Sequence, residues 1–155
     1  MIKFKRILFP TDFSPSAQHA LDYAISLALE YESSIILAHV IEDISFNSSF
    51  TLSSFPTSLE YHHGMEEKAK EELARVLSPQ LKRQIDVEEV VARGRPFVEI
   101  IRLAKEKSAD LIVMATHSQT GIRHSHLGST AERVVRKAPC PVMVIRHPEY
   151  QFIMP

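Results

Sequence analysis

The chain has 155 residues, 45% of them hydrophobic, with a formal net charge of −1. That length suits one domain with one core, and that apolar content excludes wholesale disorder. No basic stripe dominates, which argues against a dedicated nucleic-acid binder. The single cysteine, Cys140, excludes an internal disulfide or a CxxC pair. It lies between Pro139 and Pro141 just before an apolar run and reads as a packing residue rather than a nucleophile. No apolar run approaches the ~18 residues of a membrane span, and the apolar part of MIKFKRILFP is too short for a secretory signal. The expectation is a cytoplasmic protein with no membrane contact.

Ile7-Leu8-Phe9, ending at Pro10, predicts a short buried strand. Ser14-Pro15 reads as a helix cap followed by Pro at the first helical position. Ala17, Ala20, Leu21, Ala24, Leu27, Ala28 and Tyr31 then step by three and four and predict one helix face. Ile35 to Val40 is a second buried strand, rich in β-branched residues. From Glu42 to about Glu60 no period holds and Pro56 interrupts, which predicts a long loop, read as a surface insertion. Met65, Ala69, Leu73, Val76 and Leu77 mark the next helix, with a charged outer face and pairs such as Glu66–Lys70.

Val87 to Ala92 predicts a third strand, and Pro96 opens a helix with Phe97, Ile100, Ile101 and Ala104 inward. Leu111 to Ala115 is a fourth strand. Ser129 to Lys137 is a last helix with Ala131, Val134 and Val135 inward, and Val142 to Ile145 is a fifth strand. Residues 1–147 form one domain on this reading, and Pro148 to Pro155 is a tail without assignment. Helices between strands call for a mostly parallel sheet covered on both faces, with right-handed crossovers.

In such a sheet ligands bind beyond the carboxyl ends of the strands. Pro10-Thr11-Asp12, Val40-Ile41, Arg93-Gly94 and Ala115 to Ser118 fall there. Asp12 is placed either to meet a ribose, a base or Mg²⁺, or to close a turn on backbone N–H groups. Gly128-Ser129-Thr130 opens a helix, where free N–H groups, the dipole and two hydroxyls favour an anion. The same stretch also reads as a plain cap, with Ser129 and Glu132 spaced as a capping box. Neither GxGxxG nor GxxxxGK[ST] occurs. His117, His124 and His126 share one loop, but HxH without a nearby thiol or carboxylate matches zinc spacing poorly. They read as loop residues that help position phosphate when protonated, and no metal site is expected. No GxSxG elbow or Ser/His/Asp set nominates a nucleophile.

Taken in order, ILFPTDFS, ILAHV, VARGRP, ADLIVMATHSQTG and LGSTAERVVRKAPCPVMVI resemble the universal stress protein family, from at least Lys5 to Arg146. The resemblance implies an α/β fold: a three-layer, open five-stranded parallel sheet with helices on both faces, Rossmann-like and of the adenine-nucleotide α-hydrolase type. It implies a homodimer through Val142 to Ile145. One branch of the family binds ATP or AMP through Gly, two residues, Gly, nine residues, then Gly-Ser or Gly-Thr. Mapped here, the last pair is Gly128-Ser129, while Ala115 and Ser118 replace the first two glycines. Ala115 adds only a methyl; Ser118 brings a hydroxyl able to bond phosphate but would strain a left-handed backbone. Asp12, Val40 (whose backbone would meet adenine), Met114, Gly128, Ser129 and Thr130 match the pattern. The implied function is a stress-linked ATP/AMP-binding regulator, with Mg²⁺ as a companion ion and at most slow ATPase activity. The alternative is a dimeric member that has lost nucleotide binding and acts as an interaction module.

Overall fold

The computed structural model describes residues 1–42, 58–116 and 127–148, with 58–62 as backbone only. Five strands, β1 (Arg6–Pro10), β2 (Ser34–Ile41), β3 (Val87–Arg93), β4 (Leu111–Ala115) and β5 (Val142–Ile145), form one sheet in the order β3-β2-β1-β4-β5. Every pairing is parallel. The helices are α1 (Pro15–Tyr31), α2 (Ser58–Val76), α3 (Leu81–Gln84), α4 (Pro96–Glu106) and α5 (Ser129–Lys137). The loop expected from Glu42 to Glu60 lies largely outside the described residues, although α2 already begins at Ser58. The tail lies outside them beyond Pro148.

The three central strands read as apolar runs, Ile7–Phe9, Ile35–Ala38 and Leu111–Met114, because both sheet faces are covered there, whereas edge strand β3 carries Glu88 and Glu89. Ile7, Phe9, Ile35, Leu37, Leu111 and Val113 pack with Ala20, Leu21 and Ala24 of α1 and Leu73 of α2. Leu8, Ile36, Ala38, Ile112 and Met114 point the other way, to Ile100, Leu103 and Ala104 of α4 and Ala131 and Val134 of α5. Alternation along each strand thus divides the core into two layers. The alanines of α1 let its backbone lie close to the sheet, and Ala17, Ala20, Ala24 and Ala28 are all buried. On the outer face of α2, Lys70 meets Glu66 at 3.0 Å, as the spacing predicts.

Some expected inward residues face out. Val135 is 47% exposed. Helix α5 buries only Ala131 and Val134, and a residue one step past Val134 is turned by about 100° away from the sheet. Tyr31 closes α1 at 39% exposure, resting edge-on against Phe4 instead of entering the core. On α4, Leu103 takes the buried place and Ile101 is only half-buried. The short helix α3 has no counterpart in the sequence reading.

At the amino ends of the strands, Asp110 ties β1 to the start of β4. Its carboxylate accepts the N–H of Lys5 at 2.9 Å and of Arg6 at 3.3 Å, while its own N–H donates to the Arg6 carbonyl at 3.0 Å. Asp110→Ala removes a charged acceptor from two strand-end amides and is expected to cost about 1–2 kcal/mol. Urea unfolding checks this; a midpoint unchanged from the parent would mean that water satisfies both amides equally well.

Candidate functional site

From β1 the chain runs to β2 and β3 on one side, and later to β4 and β5 on the other. The strand order therefore reverses between β1 and β4, where the loops leaving adjacent strands part and open a crevice. A cavity of about 420 Å³ lies there. Pro10, Thr11 and Asp12 line it from β1, Val40 from β2, Met114 and Ala115 from β4, and Gly128, Ser129 and Thr130 from the start of α5. Nine expected site residues thus line one cavity. His117 and Ser118 lie outside the described residues.

The β1 exit is held by its own hydrogen bonds. Thr11 N–H donates to the Ala38 carbonyl at 2.8 Å, and Phe13 N–H donates to Thr11 Oγ1 at 3.0 Å. Asp12 Oδ1 accepts the Ser14 N–H at 3.0 Å, so the turn-closing role is realised. Ser14 then caps α1, accepting the Ala17 N–H at 3.1 Å. Between them Phe13 has φ 63°, a left-handed backbone costing an L-residue roughly 1–2 kcal/mol. Its ring lies on His39, with centroids 4.4 Å apart. His39 Nδ1 is 2.8 Å from the Thr11 carbonyl, and since a carbonyl only accepts, that nitrogen carries the proton. Asp12 is thereby fixed at the cavity rim.

The opposite wall is a helix end. Gly128 is the residue before α5, with φ −60° and ψ 150°, and makes no side-chain cap. Its N–H donates to the Thr116 carbonyl at 2.9 Å, and Thr116 N–H donates to Ile145 at 3.0 Å. The helix's own series starts with Glu132 N–H on the Gly128 carbonyl at 2.9 Å. The amides of Ser129, Thr130 and Ala131 precede it and take no partner among the described residues. The expected capping box is not formed: Ser129 is the first helical residue, not the cap, and the carboxylate of Glu132 pairs with Arg136 at 3.0 Å. The φ of Gly128 is one that any residue adopts, so the backbone at this position does not itself require glycine.

Six further residues line the cavity: Ala17, Glu42, Pro96, Ile100, Thr116 and Ala131. Pro96 and Ile100 had been read only as helix start and core. The signal for them was Gly94, whose φ of 140° turns the chain sharply at the end of β3 and brings the first turn of α4 to the same end of the sheet. Among the described residues no group of three or more His, Cys, Asp or Glu is arranged to hold a metal. Cys140 lies away from this wall. Burial pushes its thiol pKa up, and Asp110 adds to the shift, so the sulfur stays protonated and poorly nucleophilic at neutral pH.

The sequence model of the Universal stress protein family matches residues 3–146. The chain belongs to the universal stress protein family. It is 32% identical over 146 residues to a universal stress protein of Methanocaldococcus jannaschii, covering 94% of this chain and 84% of that one. The solved structure of the M. jannaschii protein MJ0577, another universal stress protein, superposes with a TM-score of 0.80 at 27% identity, covering 96% of this chain and 99% of that one. The universal stress protein UspA of Lactobacillus plantarum gives a TM-score of 0.76 at 25% identity, covering 94% and 100%. Structures of more distant family proteins with cAMP and with dAMP share the fold, at 22% and 20% identity and TM-scores of 0.58 and 0.59. Among the described residues no helix is long and apolar enough to cross a membrane.

Proposed function

We propose that this universal stress protein is a regulatory protein of the stress response that binds an adenine nucleotide, ATP or AMP, in the crevice between β1 and β4. One observation carries the reading: the amino end of α5, which no side chain caps among the described residues, faces Asp12 and Val40 across a cavity of nucleotide size. In this assignment the backbone at Val40 meets the base, Asp12 accepts from the ribose hydroxyls, and the Ser129, Thr130 and Ala131 amides hold phosphate. The cAMP and dAMP found in distant relatives belong to those proteins; here the pocket and the family support an adenine nucleotide as the ligand. Isothermal titration with ATP and AMP tests it. Heat that saturates below about 100 μM nucleotide is expected. No heat with either would overturn it.

The second reading is a dimeric interaction module without nucleotide. It draws on Ala115, whose methyl stands in the cavity lining where the nucleotide-binding branch has glycine.

Both readings share a proposed homodimer through β5. The two sheet edges differ. On the β3 edge Glu88 pairs with Lys107 and Glu89 pairs with Lys82, charges that discourage a further strand. The β5 edge is Val142, Met143, Val144 and Ile145, all half-buried, with no charge among them. Val144→Lys is expected to convert a dimer to a monomer in sedimentation. A parent protein that sediments as a monomer at micromolar concentration would refute this assignment.

A further inference from the structure

Strand β1 hands the chain on to Asp12 through a connection that β2 holds from beside it. The register between the two strands ends at Pro10 and Ala38, with Thr11 N–H still donating to the Ala38 carbonyl at 2.8 Å. Beyond that pair a side chain takes over: the Nδ1–H of His39 donates to the Thr11 carbonyl at 2.8 Å. By the alternation of a strand, His39 follows Ile35 and Leu37 on the sheet face beneath α1 and α2. An aliphatic residue would continue that layer, so apolar packing alone does not account for an imidazole there.

Phe13 is the second unusual residue. Among the described residues, the non-glycines with positive φ are Phe13, Glu32 and Ser108. Glu32 closes α1, and Ser108 follows the end of α4, where its N–H and that of Ala109 return to the carbonyls of Lys105 and Ala104. Left-handed residues are routine at such helix ends. Phe13 instead precedes a helix, between Asp12 and the capping Ser14, and carries φ 63° with a bulky ring. That ring lies on His39 with planes 31° apart, and the Phe13 N–H is held by Thr11 Oγ1 at 3.0 Å. A strained conformation persists only where its surroundings over-determine it, and such positions gather at binding sites.

Building on the nucleotide reading above, we infer that His39 is a positioning residue for that site: with the ring of Phe13 against it, it fixes the course of residues 11–13 and so aims the Asp12 carboxylate at the ribose hydroxyls. Val40 lines the cavity, and His39, one residue earlier, points to the opposite sheet face. Its influence on a nucleotide therefore passes through Asp12, and the part of the ligand it governs is the sugar. Hydrogen bonds weaken steeply once bent, so loosening this turn costs sugar recognition before it costs the fold.

Titrating the intact protein and its variants with AMP and with dideoxy-AMP, which lacks both ribose hydroxyls, tests this. The parent is expected to bind AMP at least about tenfold more tightly than the dideoxy compound, because hydrogen bonds to a carboxylate are lost. His39→Leu keeps the branching of the imidazole without its donor and should narrow that preference to about twofold. His39→Asn places an amide N–H where Nδ1 stood and should retain a preference of at least about fivefold. Leucine fills the space better than asparagine, so that order cannot come from packing. Phe13→Leu removes the ring and should narrow the preference about threefold, which keeps the test decisive if His39→Leu does not fold. An undiminished preference in folded His39→Leu or Phe13→Leu, an Asn variant that narrows as far as Leu, or a parent indifferent to the hydroxyls would each overturn the positioning role while leaving the nucleotide site in place. If the parent binds neither compound, the nucleotide reading itself fails, and this inference with it.

Discussion

Gly128→Val should lower the affinity for AMP by at least about a hundredfold, with the fold unchanged. The glycine lies on the cavity wall directly before α5. A β-branched side chain there occupies space that the proposed phosphate needs and screens the amides of Ser129 and Thr130. Its backbone, at φ −60° and ψ 150°, suits valine, so no strain is introduced. Its N–H bond to Thr116 involves no side chain and survives the exchange. The measurement is calorimetric titration of a variant whose circular dichroism and melting match the parent. Unchanged affinity would place the phosphate elsewhere.

Phe9→Ala carries the largest expected effect on stability, about 3–5 kcal/mol. Phe9 is 0% exposed in the middle of the sheet, paired with Leu37 in register, and packs in the layer beneath α1 and α2. Truncation leaves a void bounded by rigid strands that cannot close in to fill it. Since domains of this size hold only about 5–15 kcal/mol, the variant should unfold at a much lower urea concentration with an unchanged slope. A loss under about 1 kcal/mol would mean that α1 collapses on to the gap.

The fold was legible because its dominant signal is simple. Each central strand is buried on both faces, so it appears as an unbroken apolar run, and Pro15, Pro96 and Pro141 punctuate the boundaries. Side-chain direction was less legible at helix ends. Val135 and Tyr31 fit a three-or-four spacing, yet Val135 lies about 100° round the helix from the buried Val134, and Tyr31 rests edge-on against Phe4 at the end of α1. Helix α3, with four residues and none buried, offers no period to detect.

The pocket was legible where strand ends meet polar or small residues, as at Thr11-Asp12 and Gly128-Ser129. It was not legible at Ile100 or Ala131, because an apolar residue bordering a cavity looks the same in sequence as one bordering the core. Asp12 had two candidate roles; its hydrogen bond to Ser14 realises the turn, and the proposed ribose contact would add to that bond rather than replace it. The first-turn amides of α5 were legible from where a helix starts, but that no side chain caps them among the described residues is a matter of geometry. Serine at the start of a helix predicted the opposite.

The central position of β1 also bears on how the molecule is made. One neighbour, β2, follows soon in the chain, but the other, β4, begins only at Leu111, and the Asp110 bonds that pin it span 105 and 104 residues. During synthesis on the ribosome the first strand therefore waits, with one edge of Ile7-Leu8-Phe9 unpaired, until most of the polypeptide has emerged. Such non-local pairing slows folding and exposes an aggregation-prone edge in the nascent chain. The crevice between β1 and β4 is complete only once the start of α5 has been made, so the nucleotide proposed for it would find its site only late in translation.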